Sequence, residues 1–263
     1  MGRVIVVTSG KGGVGKTTIT ANLGIMLATS GKSVCVVDAD VGLNNLDVVL
    51  GVENKIVYDL IDCIEGKCRA LQALLQDGCL QNLYVLPCCR IYDNKYIDIA
   101  NFSRVIESIK DSFDFVLIDC PAGIGEGFLM AIDPAEESLV VVNPHIASIR
   151  DAYKVIGLLE SNKINNISII VNRIRNEKVR KREMLSVEEV ESLLSKNAIG
   201  IIPESDELGV YNSFLTKVGP FSDSKVQYAF AFLCKNLALN RLDKYDYMSK
   251  QGKLFSLFKR IGG

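Results

Sequence analysis

Short runs rich in Val and Ile alternate along the chain with longer stretches whose apolar residues recur every three or four positions. The short runs predict strands over Val4–Thr8, Val34–Asp38, Leu83–Pro87, Phe115–Asp119, Leu139–Asn143, Ser168–Asn172 and Ile199–Pro203. The longer stretches predict helices over Thr17–Ser30, Ser103–Ser112, Ser148–Ser161, Val187–Ser195 and Lys225–Leu239. Ser186, with Glu189 three residues later, forms a capping-box pattern at one helix start. Strands apolar on both faces must be covered on both, which requires parallel strands joined by helical crossovers. The predicted fold is therefore α/β: a single doubly wound, mostly parallel sheet with helices on both faces. It spans residues 1–245, and a C-terminal amphipathic tail follows over 246–263.

Composition narrows the function. With 48% hydrophobic and 23% charged residues, the 263-residue chain can build a full core. Thirty Lys and Arg against 31 Asp and Glu leave a net charge of -1, so no global positive field favours nucleic acid. The stretch Asn172–Met184 gathers Arg173, Arg175, Lys178, Arg180, Lys181 and Arg182, and reads as a basic surface loop. Such a run is either a solvated face or a patch that meets phosphate or a partner. Apolar runs fall short of the roughly 18 residues that cross a membrane, and neither a signal peptide nor a myristoylation motif opens the chain. A cytoplasmic location is expected. The eight cysteines include no C-x-x-C pair and read as reduced, mostly buried thiols, Cys88-Cys89 being the adjacent pair. His145, the single histidine, cannot supply a metal cluster alone, which argues against zinc or iron–sulfur chemistry.

The chemistry starts where Val4–Thr8 runs into Gly10-Lys11-Gly12-Gly13-Val14-Gly15-Lys16-Thr17 and then a helix. This is G-x-x-x-x-G-K-[ST] in strand–loop–helix context, where glycines let backbone N–H groups wrap a polyphosphate. The helix N-terminus adds positive potential. Lys16 neutralises the outer phosphates and Thr17 coordinates Mg²⁺. Two further strands end in carboxylates, at Asp38-Ala39-Asp40 and at Asp119-Cys120-Pro121. In a parallel sheet these edges open on the same crevice, where carboxylates bind Mg²⁺ through water or orient an attacking water. Guanine recognition usually needs an Asp in an N-K-x-D motif. Here Asn172-Arg173-Ile174-Arg175 puts Arg175 at that place, which favours ATP.

Lys11 is a second lysine that cradling phosphate does not need. With its K-G-G-V-G-K-T loop the sequence resembles the deviant Walker A P-loop ATPases, the ParA/MinD family. The segments Asp38–Leu43, Asn45-Leu46-Asp47, Ile56–Leu60, Ile118–Ile124, Ile149–Ala152 and Met184–Glu188 extend the resemblance over nearly the whole chain. They are most similar to the family's division-site-selecting members. The resemblance implies a Mg²⁺-dependent ATPase, slow unless a partner stimulates it. It assigns Gly12, Gly13, Val14, Gly15, Lys16, Thr17 and Thr18 to the phosphates, and Asn172, Arg173, Pro203 and Glu204 to the adenine end. Lys11 reaches a partner subunit's phosphates across an ATP-bound homodimer, and so joins Lys16 and Asp40 as catalytic. Asp40 positions water, Asp119 takes the Walker B role, and Asp38 supports the Mg²⁺ held by Thr17. Asp151 matches a position near the signature lysine and the dimer face. Asn44 departs from the family, which has Arg there.

On a helical wheel Leu254, Phe255, Leu257, Phe258 and Ile261 span an arc of about 160°, opposite Lys253, Lys259 and Arg260. A basic amphipathic helix with two Phe reads as a binder of anionic membrane lipid; a helix docked on its own domain or in a partner's groove is the alternative. The family resemblance adds attachment to the inner membrane face as an ATP dimer, recruitment of a MinC-like division inhibitor, and release by a MinE-like topological factor. Three rival readings share the fold: an ATPase that sets flagellar number or placement, a ParA-type DNA-partition ATPase, and an iron–sulfur reductase or carrier, for which Cys120 has no companion motif.

Overall fold

The computed structural model describes residues 2–41, 46–88, 98–205, 225–244 and Tyr247. The first half of the chain forms β1 (Arg3–Thr8), α1 (Lys16–Thr29), β2 (Val34–Asp38), α2 (Leu46–Leu50), α3 (Leu60–Ile64), α4 (Ala70–Ala73), β3 (Leu75–Gln76) and β4 (Leu83–Leu86). Next come α5 (Ile99–Lys110), β5 (Phe115–Asp119), α6 (Glu126–Ile132), β6 (Glu137–Val142) and α7 (Ile146–Ser161). The last described elements are β7 (Asn166–Ile174), α8 (Asn176–Arg180), α9 (Val187–Leu194), β8 (Ala198–Pro203) and α10 (Lys225–Leu239).

Period-two alternation divides each strand between two cores. Val4 and Val6 of β1 join one apolar cluster, while Ile5 and Val7 join the other. Each such fully buried side chain contributes roughly 1.5–3 kcal/mol. One core is closed by α3 to α7 and α9, the other by α1, α2 and α10. Helix α1 is buried on nearly every side, which explains its apolar sequence. Gly24 lets it approach the sheet, since a Cβ there would lie 2.7 Å from a Val36 methyl group.

The eight strands run in the order β3-β4-β2-β5-β1-β6-β7-β8. All neighbours are parallel except β3, which lies antiparallel on β4. The chain leaves β1 toward β2 on one side and later fills β6 to β8 on the other. The loop after β1 thus sits where the strand order reverses, the place where open α/β sheets bind ligands.

The doubly wound α/β reading holds, with local corrections. β6 starts at Glu137 rather than Leu139, because Glu137 pairs with Asn166 in the sheet and its carboxylate holds Arg3 at 2.6 Å. β7 runs from Asn166 to Ile174, beyond the expected Ser168–Asn172. The basic stretch is therefore not one loop: its start belongs to β7, and Asn176–Arg180 forms α8. The five-residue helices α2 and α3 and the four-residue α4 are too short for periodicity to show. A signal for α3 exists in Asp59, whose carboxylate accepts from the Asp62 N–H at 3.0 Å in a capping box. The tail residues Lys253, Leu254, Phe255, Leu257, Phe258, Lys259, Arg260 and Ile261 lie outside the described residues, as do Asn44 and Cys89.

Candidate nucleotide site

The loop between β1 and α1 is shaped for an anion. Gly13 and Gly15 have φ of +76° and +99°, a region that costs other L-residues about 1–2 kcal/mol. Gly15 caps α1 without a side-chain hydrogen bond, and no acid occupies the first turn. The first N–H groups of the helix are thereby left for an external partner. Ser9 Oγ donates to the Lys11 carbonyl at 2.8 Å and steadies the loop from within. Gly10 backs directly onto α7: a Cβ there would stand 2.4 Å from the Asp151 carbonyl carbon. Asp151 of α7 thus packs against the loop at Gly10 through both its backbone and its Cβ.

The two lysines of the loop are placed differently. Lys16 is only 8% exposed at the start of α1, whereas Lys11 is exposed. Thr17 and Thr18 are half-buried beside Lys16.

Asp38 and Asp119 are register partners on the adjacent strands β2 and β5. Asp38 accepts from the Asp40 N–H at 2.9 Å and, more weakly, from the Leu46 N–H at 3.4 Å. Burial raises its carboxyl well above the ordinary range, and the neighbouring Asp119 raises it further. Asp119 accepts from the Thr20 hydroxyl at 3.1 Å. Burial pushes its pKa up to about 6, against the opposing pull of the Thr17 hydroxyl, Lys16 and Thr20. Asp40 is half-buried at the end of the same edge. Among the described residues, no cluster of three or more His, Cys, Asp or Glu side chains forms a metal centre by itself. Mg²⁺ fits this donor set as an ion delivered with a polyphosphate: one hydroxyl and carboxylates, the all-oxygen ligands that a hard cation takes. Cys120, next to Asp119, is buried and its thiol is pushed up to about 12, so it stays protonated.

Asn172 sits on β7 with its amide Nδ2 donating to the Val14 carbonyl at 2.7 Å, over a Gly15 whose missing Cβ makes room. Its present contact is with the loop backbone. Arg173, exposed and at φ +59°, follows it. Arg175 Nε meets Glu204 Oε2 at 2.5 Å, and the Glu204 N–H donates to Ile174 O, so Pro203-Glu204 lies against the end of β7. That ion pair holds the Glu204 carboxyl below its usual range. Sequence reasoning missed Thr20. Its position one turn after Lys16, on the same helix face, was the available signal.

The state of Asp119 has a measurable consequence. Its folded pKa of about 6 exceeds the ordinary 3.8, so the folded state binds the proton more tightly between those values. Stability therefore falls as pH rises through roughly pH 4 to 6, and the full cost is present above that window. Asp119→Asn should raise the nucleotide-free protein's stability by about 1–3 kcal/mol at pH 7.5. Thermal melting across pH should show that gain shrinking toward zero near pH 4. A constant difference would mean that Asp119 charging is not its cause.

Comparison with known proteins places the chain. The model of the CobQ/CobB/MinD/ParA nucleotide binding domain matches residues 5–213. The septum site-determining protein MinD of Synechocystis is 49% identical over 100% of both chains. A chain of the MinC:MinD cell division protein complex of Aquifex aeolicus is 43% identical, with a TM-score of 0.84 over 93% of this chain and 99% of that one. The septum site-determining protein MinD of Pyrococcus horikoshii, complexed with Mg-ADP, is 32% identical, with a TM-score of 0.78 over 90% and 96%.

Proposed function

The chain belongs to the MinD septum-site-determining proteins of the CobQ/CobB/MinD/ParA nucleotide-binding family, and from that membership we propose an ATP-driven switch that dimerises and binds membrane. Membership makes it a division-site ATPase. The switch is read from its residues, above all from the contrast between buried Lys16 and exposed Lys11 on one loop.

Mg-ATP is the proposed substrate. The backbone of Gly12 to Thr18 and the Lys16 ammonium take the phosphates, while Thr17, Asp38, Asp40 and Asp119 would hold Mg²⁺. Bound Mg²⁺ would neutralise charge that develops on the phosphates. Asp40, at the mouth of the crevice, orients the attacking water. Asn172, Arg173, Pro203 and Glu204 border the base. Lys11 serves a second copy of the chain, so that two nucleotides are enclosed by one dimer and turnover alone is slow. The tail Leu254, Phe255, Leu257, Phe258 and Ile261, with Lys253, Lys259 and Arg260, anchors the dimer to anionic lipid on the inner membrane face. No helix among the described residues is long and apolar enough to cross a membrane. A MinC-like inhibitor is the proposed recruit, supported by the Aquifex complex of MinC with MinD. A MinE-like factor is the proposed stimulator of release.

Lys11→Ala separates this reading from an ordinary P-loop ATPase. Light scattering with Mg-ATP should find a monomer, and hydrolysis should be lost, while nucleotide binding by the monomer largely survives. An intact ATP-dependent dimer would refute the role across subunits.

A further inference from the structure

Far from the nucleotide loop, the end of α3 brings two thiols together. Gly66, at φ +74°, reverses the chain after Glu65. The Gly66 N–H then donates to Cys63 O at 3.1 Å and the Lys67 N–H to Asp62 O at 2.9 Å, the pair of bonds of a Schellman motif. This turn folds Cys68 back over α3, where its Sγ lies 3.5 Å from Cys63 Sγ. Both cysteines line an open cavity of about 400 Å³ together with Arg69, Leu71 and, on α5, Arg104. Cys63 is buried and Cys68 half-buried.

We propose that Cys63 and Cys68 form a reversible oxidation site that takes a small peroxide and closes to a disulfide. The sulfurs must approach by roughly 1.5 Å to reach bonding distance, a movement within reach of side-chain rotation. Cys68, half-buried where Cys63 is buried and sharing the cavity lining with Arg69 and Arg104, carries the sulfur that a small peroxide in the cavity meets first. Its sulfur attacks one peroxide oxygen, the O–O bond breaks, and hydroxide leaves and takes a proton to become water. Cys68 is then a sulfenic acid. Cys63 sulfur attacks Cys68 sulfur, the S–O bond breaks, and the Cys63 proton leaves with that oxygen as a second water. Two thiols have lost two electrons and one peroxide has gained them. Burial raises the Cys63 thiol above its ordinary value, so the initiating attack falls to Cys68, and the 3.5 Å Sγ–Sγ separation is what lets Cys63 resolve. The ring closes only four intervening residues, so little chain entropy stabilises it and thiols reopen it readily.

Lys67 lies between the two cysteines, so trypsin separates them unless a disulfide joins the fragments. The full-length reduced chain is exposed to equimolar hydrogen peroxide, alkylated, digested and mapped by mass. The expected product is a joined Cys63 and Cys68 peptide that forms about tenfold faster than any other cysteine pair and vanishes with dithiothreitol. Cys63→Ser should leave Cys68 as a sulfenic acid that dimedone traps, and Cys68→Ser should leave Cys63 reduced. Absence of the joined peptide in the wild-type chain, or faster pairing of other cysteines, would overturn the proposal without recourse to either variant.

Discussion

Replacing Lys16 with alanine is expected to abolish measurable Mg-ATP binding while the fold survives. Lys16 is the buried cation of the loop, 8% exposed at the first position of α1. A phosphate seated on the loop would lose a charged partner in a water-poor site, a loss of about 3–5 kcal/mol. That is two to four orders of magnitude in Kd. Alanine is a strong helix former and keeps the start of α1 intact. The apo protein should also lose the pull that Lys16 exerts on Asp119, so the Asp119 carboxyl should rise above its present value of about 6. Isothermal titration gives the affinity, and circular dichroism checks the fold. Unchanged Mg-ATP affinity in the folded variant would sink the site assignment.

The second large effect is expected from Phe258→Glu. Phe258 is about 40° from Leu254 on the helical wheel, inside the apolar arc, so a carboxylate there is driven toward the acyl boundary. The tail would lose one aromatic anchor and gain repulsion from the anionic headgroups that Lys253, Lys259 and Arg260 attract. The expected loss is a few kcal/mol per tail. On the proposed switch, one tail is expected to bind marginally, because ordering it takes back much of the gain. Two tails on the proposed dimer would bind through avidity, so the penalty counts twice and membrane binding should vanish. ATP affinity and ATP-dependent dimerisation in solution should stay near wild type. Loss of ATP binding or of the fold would mean instead that Phe258 packs on its own domain.

The residues that constrain backbone path were the ones legible along the chain. The phosphate-loop pattern shows in the spacing of Gly10, Gly15 and Lys16, and the both-face burial of Val4 to Val7 dictates a covered parallel sheet. What stayed hidden depends on partners distant in sequence. Asn172 reaches Val14 across 158 positions, and Thr20 reaches Asp119 across 99. No local pattern names either partner, although Thr20 itself stands one turn after Lys16 on the same helix face. Gly10 read as the first glycine of the phosphate loop, yet its missing Cβ is also needed because α7 comes so close at Asp151. Arg175 read as the absence of a guanine-binding Asp, and its structural work is the ion pair with Glu204. The basic run looked like one loop because charge hides periodicity, and the short α8 gives no apolar stripe to detect.

Nucleotide control of membrane attachment is the centre of the account. Sedimentation of the wild-type chain with anionic liposomes, in Mg-ATP, Mg-ADP and no nucleotide, tests it most directly. The expected result is pelleting with Mg-ATP alone, weakened by added salt as the basic residues of the tail are screened. Equal pelleting in all three conditions, or none with Mg-ATP, would contradict the switch.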